Sequence, residues 1–288
     1  MIDDWWPLTS GPTPVRVKIA DAATGQWAVL VPGFLGGRED FAGLSDELAA
    51  NGVSSVAYEQ RGMNGAPGPA YEAGYSLGHL AADLNDVIAC GHERFGPSRP
   101  ALVAHSYAGL MVQVAMRDPA LVSRIGSVTL ICSGPGALPP DRQQLLPLLI
   151  QYLPMVDRET LWRNKLAYQR ASGEPSAPAD ASDLERRRWM TSTHHALLAG
   201  ARVLLTSPRL DAAIRGIGAQ VPITVLRGTD DDVWTVSLQR ELAETLGARW
   251  CEVAGTGHFP HVDAPRAVSD AILGVEAATR LTPSRTDG

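Results

Sequence analysis

The chain has 288 residues, 45% of them hydrophobic and 19% charged, with 25 basic against 31 acidic side chains and a formal charge of −6. That is an ordinary globular composition, long enough to bury a substantial core without staples. The acidic balance argues against nucleic acid or an anionic membrane as the main partner, and no apolar run reaches the roughly 18 residues needed to span a bilayer.

Residues 1–7 carry Asp3 and Asp4 and lack the basic and apolar regions of a secretory signal peptide, so a cytoplasmic protein is expected. Short β-branched runs then predict strands at 15–20, 27–32 and 53–58. Leu77, Leu80, Ala81, Leu84, Val87 and Ile88 recur at helical spacing behind Ser76, a candidate N-cap. Further strands are predicted at 100–105 and 127–132. From about residue 136 to 220 the pattern is helical, with candidate helices at 143–153, 158–170 and 184–205. Pro154 and the Ser/Pro/Ala-rich stretch 173–182 separate them. Strands resume at 222–228 and 249–253, and 280–288 reads as a frayed polar tail.

Alternating strands and helices predict an α/β fold, a mostly parallel central sheet with helices on both faces. The runs Ala28-Val29-Leu30-Val31 and Ile223-Thr224-Val225-Leu226 are apolar throughout, as parallel strands buried on both faces should be. We divide the chain into a core formed by 1–136 and 221–279, an inserted helical cap at 137–220, and the tail. A cap at that point would cover the carboxyl edge of the sheet, where open α/β sheets bind ligands.

Cys90, Cys132 and Cys251 are far apart and odd in number, so neither a disulfide framework nor a zinc spacing can be read from them. Cys132 and Cys251 lie in apolar runs and are expected in the core.

Three segments carry chemistry. Ser106 lies between the apolar run Ala101-Leu102-Val103-Ala104 and the helical start Leu110-Met111-Val112, with small neighbours Ala104, Ala108 and Gly109. A sharp strand-to-helix turn there would expose the hydroxyl at a helix N-terminus. A hydroxyl needs an adjacent base. His258, in the Gly-rich turn Gly255-Thr256-Gly257, is the candidate, with His261 as competitor. His105 should point away from the serine, and His194 and His195 fall in the cap. The base needs a carboxylate to hold its tautomer. Asp230, Asp231 and Asp232 follow the 222–228 strand; Asp231 is the first choice and Asp230 the second. The order Ser, Asp, His differs from that of chymotrypsin-like and subtilisin-like proteases. The backbone N–H groups of Tyr107 and Phe34 are the candidate oxyanion donors. The loop Pro32-Gly33-Phe34-Leu35-Gly36-Gly37 matches neither phosphate-binding glycine pattern, and no HExxH is present. No metal or cofactor is therefore expected.

With these residues in place, the chain resembles the α/β-hydrolase superfamily over most of its length. The stretch 29–50 is similar to the family's strand, oxyanion loop and first helix. Glu59-Gln60-Arg61-Gly62-Met63-Asn64-Gly65 is similar to its Asp-x-Arg-Gly-x-Gly turn, and Gly257-His258-Phe259-Pro260-His261-Val262-Asp263-Ala264-Pro265 to its histidine loop. The resemblance implies a triad of Ser106, Asp231 and His258, with Phe34 and Tyr107 as oxyanion donors. Pro32 stands where most members have histidine, Ala104 replaces the first glycine of GxSxG, and Glu59 replaces an aspartate read as structural. Serine at 106 argues against epoxide hydrolases and haloalkane dehalogenases, which use aspartate there.

The first functional expectation is hydrolysis of an ester, thioester or related carbonyl bond of a small, largely apolar molecule through an acyl-Ser106 intermediate. Gly33, Leu35, Tyr152, Trp162, Trp189 and Trp234 are candidate pocket residues, with core packing as the competing role for the aromatic ones. A lyase, cyclase or acyltransferase using the same groups is the alternative, with haloperoxidase-like perhydrolysis as a minor variant. A non-catalytic small-molecule receptor is the third. Oligomeric state is not legible.

Overall fold

The computed structural model of the chain describes residues 1–21, 24–171 and 179–274. Its strands are β1 (Ile2–Leu8), β2 (Gly11–Lys18), β3 (Gln26–Val31), β4 (Val53–Tyr58), β5 (Ala101–His105), β6 (Ser127–Ile131), β7 (Ile223–Gly228) and β8 (Arg249–Val253). Its α-helices are α1 (Ala42–Ala50), α2 (Leu77–Phe95), α3 (Tyr107–Ala115), α4 (Pro119–Val122), α5 (Leu145–Tyr152), α6 (Arg158–Ala171), α7 (Ala179–Thr191), α8 (His194–Thr206), α9 (Val236–Leu246), α10 (Pro260–Asp263) and α11 (Pro265–Leu273).

The strands form one sheet in the order β1-β2-β4-β3-β5-β6-β7-β8. From β4 to β8 every pairing is parallel. Side chains of a strand alternate between faces, and this alternation builds two cores. Ala28 and Leu30 of β3 join Phe41, Leu44 and Leu48 below the sheet, together with Val268 of α11. Val29 and Val31 join Leu84 and Ile88 of α2, Met111 of α3 and Leu242 of α9 on the other face. Each fully buried aliphatic side chain is worth about 2 kcal/mol, so a charged residue at Leu84 would unseat α2. Ser76 caps that helix as expected, its hydroxyl accepting the His79 N–H at 3.3 Å.

The N-terminal edge differs from the sequence reading. β1 was not anticipated, because Ile2–Leu8 is exposed at most positions and carries Pro7 and two acids. It pairs antiparallel with β2, and β2 pairs antiparallel with β4. β2 itself starts at Gly11 rather than 15, since Pro12 and Pro14 fit a strand near a sheet edge. The expected helix at 184–205 is two helices. The Thr193 hydroxyl accepts the Ala196 N–H at 3.2 Å, starting α8 afresh.

The helical stretch between β6 and β7 contributes to two clusters. Leu153, Trp162, Trp189 and Leu197 pack with Met63 and Tyr75. Ala201, Leu204, Leu210, Ile214 and Ile217 belong instead to the main core of the sheet. No described helix is long and apolar enough to cross a membrane. The expected tail at 280–288 and most of the 173–182 segment lie outside the described residues.

Candidate active site

Ser106 sits between the end of β5 and the start of α3 with φ 55° and ψ −122°, a backbone conformation that side chains rarely adopt. Its N–H donates to the Ile131 carbonyl at 2.8 Å, and its carbonyl accepts the Gly109 N–H at 2.9 Å. The turn is closed so tightly that a Cβ at Gly109 would overlap the Ser133 side chain. Small neighbours are therefore a steric requirement of the turn.

His258 follows β8 and projects over the carboxyl edge. Its Nε2 lies 2.9 Å from Ser106 Oγ, and its Nδ1 lies 2.8 Å from Asp231 Oδ1. A carboxylate only accepts, so Nδ1 carries the proton and Nε2 is left to accept from the serine hydroxyl. Three residues separated by 125 and 27 positions in sequence thus form one continuous relay.

Of the three aspartates after β7, the structure selects Asp231. It is 6% exposed, whereas Asp230 and Asp232 face solvent. Asp232 pairs with Arg142 at 2.9 Å. Burial works to raise the Asp231 pKa. The His258 bond and charge, the Val233 N–H and the Gln239 amide outweigh it and hold the carboxyl below the usual range. Gln239, from α9, donates Nε2–H to Asp231 Oδ2 at 2.8 Å and to the Trp234 carbonyl at 3.0 Å. Arg227 donates to the Asp231 carbonyl at 2.9 Å. Neither was visible in the sequence, since a polar residue on an amphipathic helix or a strand carries no sign of its partner. Close approach of the two loops also needs Gly228, where a Cβ would overlap the carbonyls of Thr256 and Gly257.

His105 does point away from the serine. Its Nε2–H donates to the His258 carbonyl at 2.8 Å, bracing the histidine loop from beneath. His261 is not a competitor for the base. It is fully buried, stacks on Phe41 with centroids 4.8 Å apart, and leaves both ring nitrogens unpartnered. Burial, with His258 as a lesser cause, lowers its pKa to about 3. Burial also holds His105 well below the ordinary histidine value. The two rings lie 4.4 Å apart.

The loop after β3 lies directly against the nucleophile. A Cβ at Gly33 would come within 3.1 Å of Ser106 Cβ and 2.9 Å of His105 Nδ1. Phe34 follows, its ring 6.1 Å from that of Tyr107 and pressed on Gly200 of α8. Tyr107 is the first residue of α3, so its N–H has no intrahelical acceptor. Leu35 takes φ 59°. Behind the loop, Asn64 donates to the Gly36 carbonyl at 2.7 Å and to Glu59 Oε2 at 2.8 Å. Glu59 also accepts the Arg38 N–H at 3.2 Å; burial pushes its pKa up to about 7. Arg188 of α7 reaches Asp40 at 2.8 Å and Glu39 at 3.1 Å, tying the helical stretch to the same loop.

The aromatic pocket candidates make packing contacts. Trp162 and Trp189 are buried in the cluster with Met63 and Tyr75, and Trp189 Nε1 donates to the Arg158 carbonyl at 3.0 Å. Trp234 is fully buried against Gly134 and donates to the Gly136 carbonyl at 3.2 Å. Tyr152 is an exposed residue of α5. Gly33 and Leu35 belong to the loop beside Ser106.

No curated protein matches the sequence. Among solved structures, the chain is similar to one described in a study of carboxylesterases of the thaumarchaeon Nitrososphaera gargenis, with 17% identity, 94% of this chain and 97% of that one covered, and a TM-score of 0.73. It is equally similar to a putative aryl esterase from Burkholderia cenocepacia, with 17% identity, 95% and 99% coverage and a TM-score of 0.73. The enol-lactonase from Burkholderia xenovorans LB400 shares 17% identity over 94% and 99% of the two chains, with a TM-score of 0.70. At these identities the likeness is one of fold. The sequence pattern of the alpha/beta hydrolase family matches residues 28–271, and the chain belongs to that family.

Proposed function

We propose that this protein is a serine hydrolase that cleaves an ester, thioester or related carbonyl bond of a small, largely apolar molecule. The observation that carries the reading is the relay Ser106–His258–Asp231, with contacts of 2.9 and 2.8 Å. The esterase and lactonase chemistry named for its structural neighbours agrees with it.

In this reading Ser106 Oγ attacks the substrate carbonyl carbon while His258 Nε2 takes the hydroxyl proton. Asp231 stabilises the imidazolium through Nδ1–H without taking its proton. The N–H groups of Phe34 and Tyr107 receive the developing oxyanion; one such donor is worth about 3 kcal/mol in the transition state. Collapse expels the leaving group with the proton from His258. Water then attacks the acyl-Ser106 ester, His258 accepting its proton and returning it to Ser106 Oγ. Within the stretch 137–220, the part that packs on Met63 and Tyr75 acts as a cap, with Phe34 and Leu35 forming the apolar floor beside the nucleophile. The substrate is taken up from water; no nucleic acid or membrane partner is involved.

A fluorophosphonate probe tests the assignment without knowledge of the substrate. Wild-type protein is expected to be labelled once, at Ser106, and Ser106→Ala to be inert. Labelling that persists in the alanine variant rejects the assignment. A panel of p-nitrophenyl esters of graded acyl length then defines the acyl class.

A further inference from the structure

Cys132, expected as core filler, directly follows β6 at the point where the nucleophile turn, the Asp231 loop and the His258 loop meet. Its N–H donates to the Leu226 carbonyl of β7 at 2.8 Å, and its thiol faces the Gly257 carbonyl at 3.8 Å. It takes φ 47°, unusual for a side-chain-bearing residue. The conformation aims Sγ at the acid end of the relay. One donor atom each from Cys132, Asp231 and His258 lie within 4.8 Å of one another. Cys132 and Asp231 are buried, whereas the His258 side chain remains 15% exposed to solvent.

We infer that Cys132, Asp231 and His258 form an inhibitory binding site for a thiophilic divalent cation of the zinc or cadmium type. A thiolate, an imidazole and a carboxylate are the donor types such ions take in four-coordinate sites, and three protein ligands leave one position for water. The imidazole ligand is Nδ1, the nitrogen that faces Asp231 at 2.8 Å. Zinc bonds of about 2 Å to nitrogen and oxygen at a tetrahedral angle need about 3.3 Å between those atoms, so a separation of roughly 0.5 Å admits the ion.

The protons balance. The Cys132 thiol releases its proton to solvent as the sulfur–metal bond forms. The proton on His258 Nδ1 moves to Nε2 as Nδ1 becomes a ligand. The ion's two positive charges are matched by the thiolate and the carboxylate, leaving the buried site neutral. The consequence for catalysis is specific. A neutral imidazole held by the metal through Nδ1 carries its proton on Nε2, the atom that must accept the Ser106 proton. The cation fixes the tautomer opposite to the one Asp231 enforces, and the base is lost.

Binding does not depend on the proposed hydrolase activity; only the inhibition does. The binding arm therefore uses Ser106→Ala protein and cadmium. It is expected to show an ultraviolet thiolate-to-cadmium charge-transfer band saturating at about one ion per chain. Cys132→Ser and Cys132→Ala added to that protein, checked as folded by circular dichroism, are expected to abolish the band, and Cys90→Ser and Cys251→Ser to retain it. In protein without the Cys132 substitutions, histidine 15N spectra with zinc are expected to move the His258 proton from Nδ1 to Nε2. The activity arm measures wild-type fluorophosphonate labelling, expected to fall at least tenfold with zinc and recover with a chelator. No charge-transfer band, a band that survives both Cys132 substitutions, or an unchanged His258 tautomer overturns the site. A band without any labelling in the absence of metal rejects the hydrolase reading and leaves the site standing.

Discussion

Replacing Asp231 by asparagine separates the electrostatic part of the relay from its packing. The carboxylate accepts from His258 Nδ1–H at 2.8 Å, from Val233 N–H at 3.2 Å and from Gln239 Nε2–H at 2.8 Å. An amide of the same shape has one oxygen and one NH2, so one of its ends must meet a donor. If the NH2 faces His258, the imidazole must accept at Nδ1 and carry its proton on Nε2, which can then no longer take the Ser106 proton. If the NH2 faces Gln239, that side chain must turn and give up its bond to the Trp234 carbonyl. The stability loss is that of one or two charge-assisted hydrogen bonds, about 2–3 kcal/mol. The reactivity loss is larger: a wrong tautomer costs about 10,000-fold, or about 5.5 kcal/mol of barrier. The assay is the fluorophosphonate labelling rate at pH 7.5 and 25 °C, with urea unfolding of the same samples. A folded variant whose labelling stays within tenfold of wild type refutes the role given to Asp231.

Other outcomes follow from the same geometry. Gly228→Ala places a Cβ on the Thr256 and Gly257 carbonyls, so the two loops must part; labelling is expected to drop at least 100-fold, with a loss of about 3 kcal/mol or more in chemical unfolding. Ser106 at φ 55° is strained, so Ser106→Gly is expected to be about 1 kcal/mol more stable than Ser106→Ala, read from urea midpoints. His105 and His261 are buried with pKa values lowered from 6.5. Unfolded histidine binds a proton that the native state refuses, so this stability is present above pH 6.5 and is lost as pH falls below it, for His261 down to about 3. At pH 5 the loss is about 2 kcal/mol for His261, with a further loss of the same sign from His105. His261→Leu, which removes two unpartnered buried nitrogens, is expected to lessen the stability difference between pH 7.5 and 5 by about that amount. Arg188→Met strips Glu39 and Asp40 of their shared partner and is expected to cost about 3 kcal/mol, measured by thermal or urea unfolding.

The sequence alone determined the layered α/β architecture and pointed to Ser106, to His258 and to a run of three aspartates as the parts of a relay. Apolar β-branched runs alternating with helical periodicity are local signals, and so are the small residues that a strained turn at Ser106 demands. The edge strand β1 was not legible, because an exposed strand keeps no apolar pattern. The division of 184–205 into two helices lay in a Thr193 cap that continuous helical periodicity masked. Only the tertiary structure decided which of three adjacent aspartates is buried, that His105 braces the His258 carbonyl, and that Gln239 and Cys132 face the acid. Those are contacts among strand ends, the loops that follow them and the first turn of α9. Their partners are chosen by sheet order and loop packing, which no short stretch of sequence encodes.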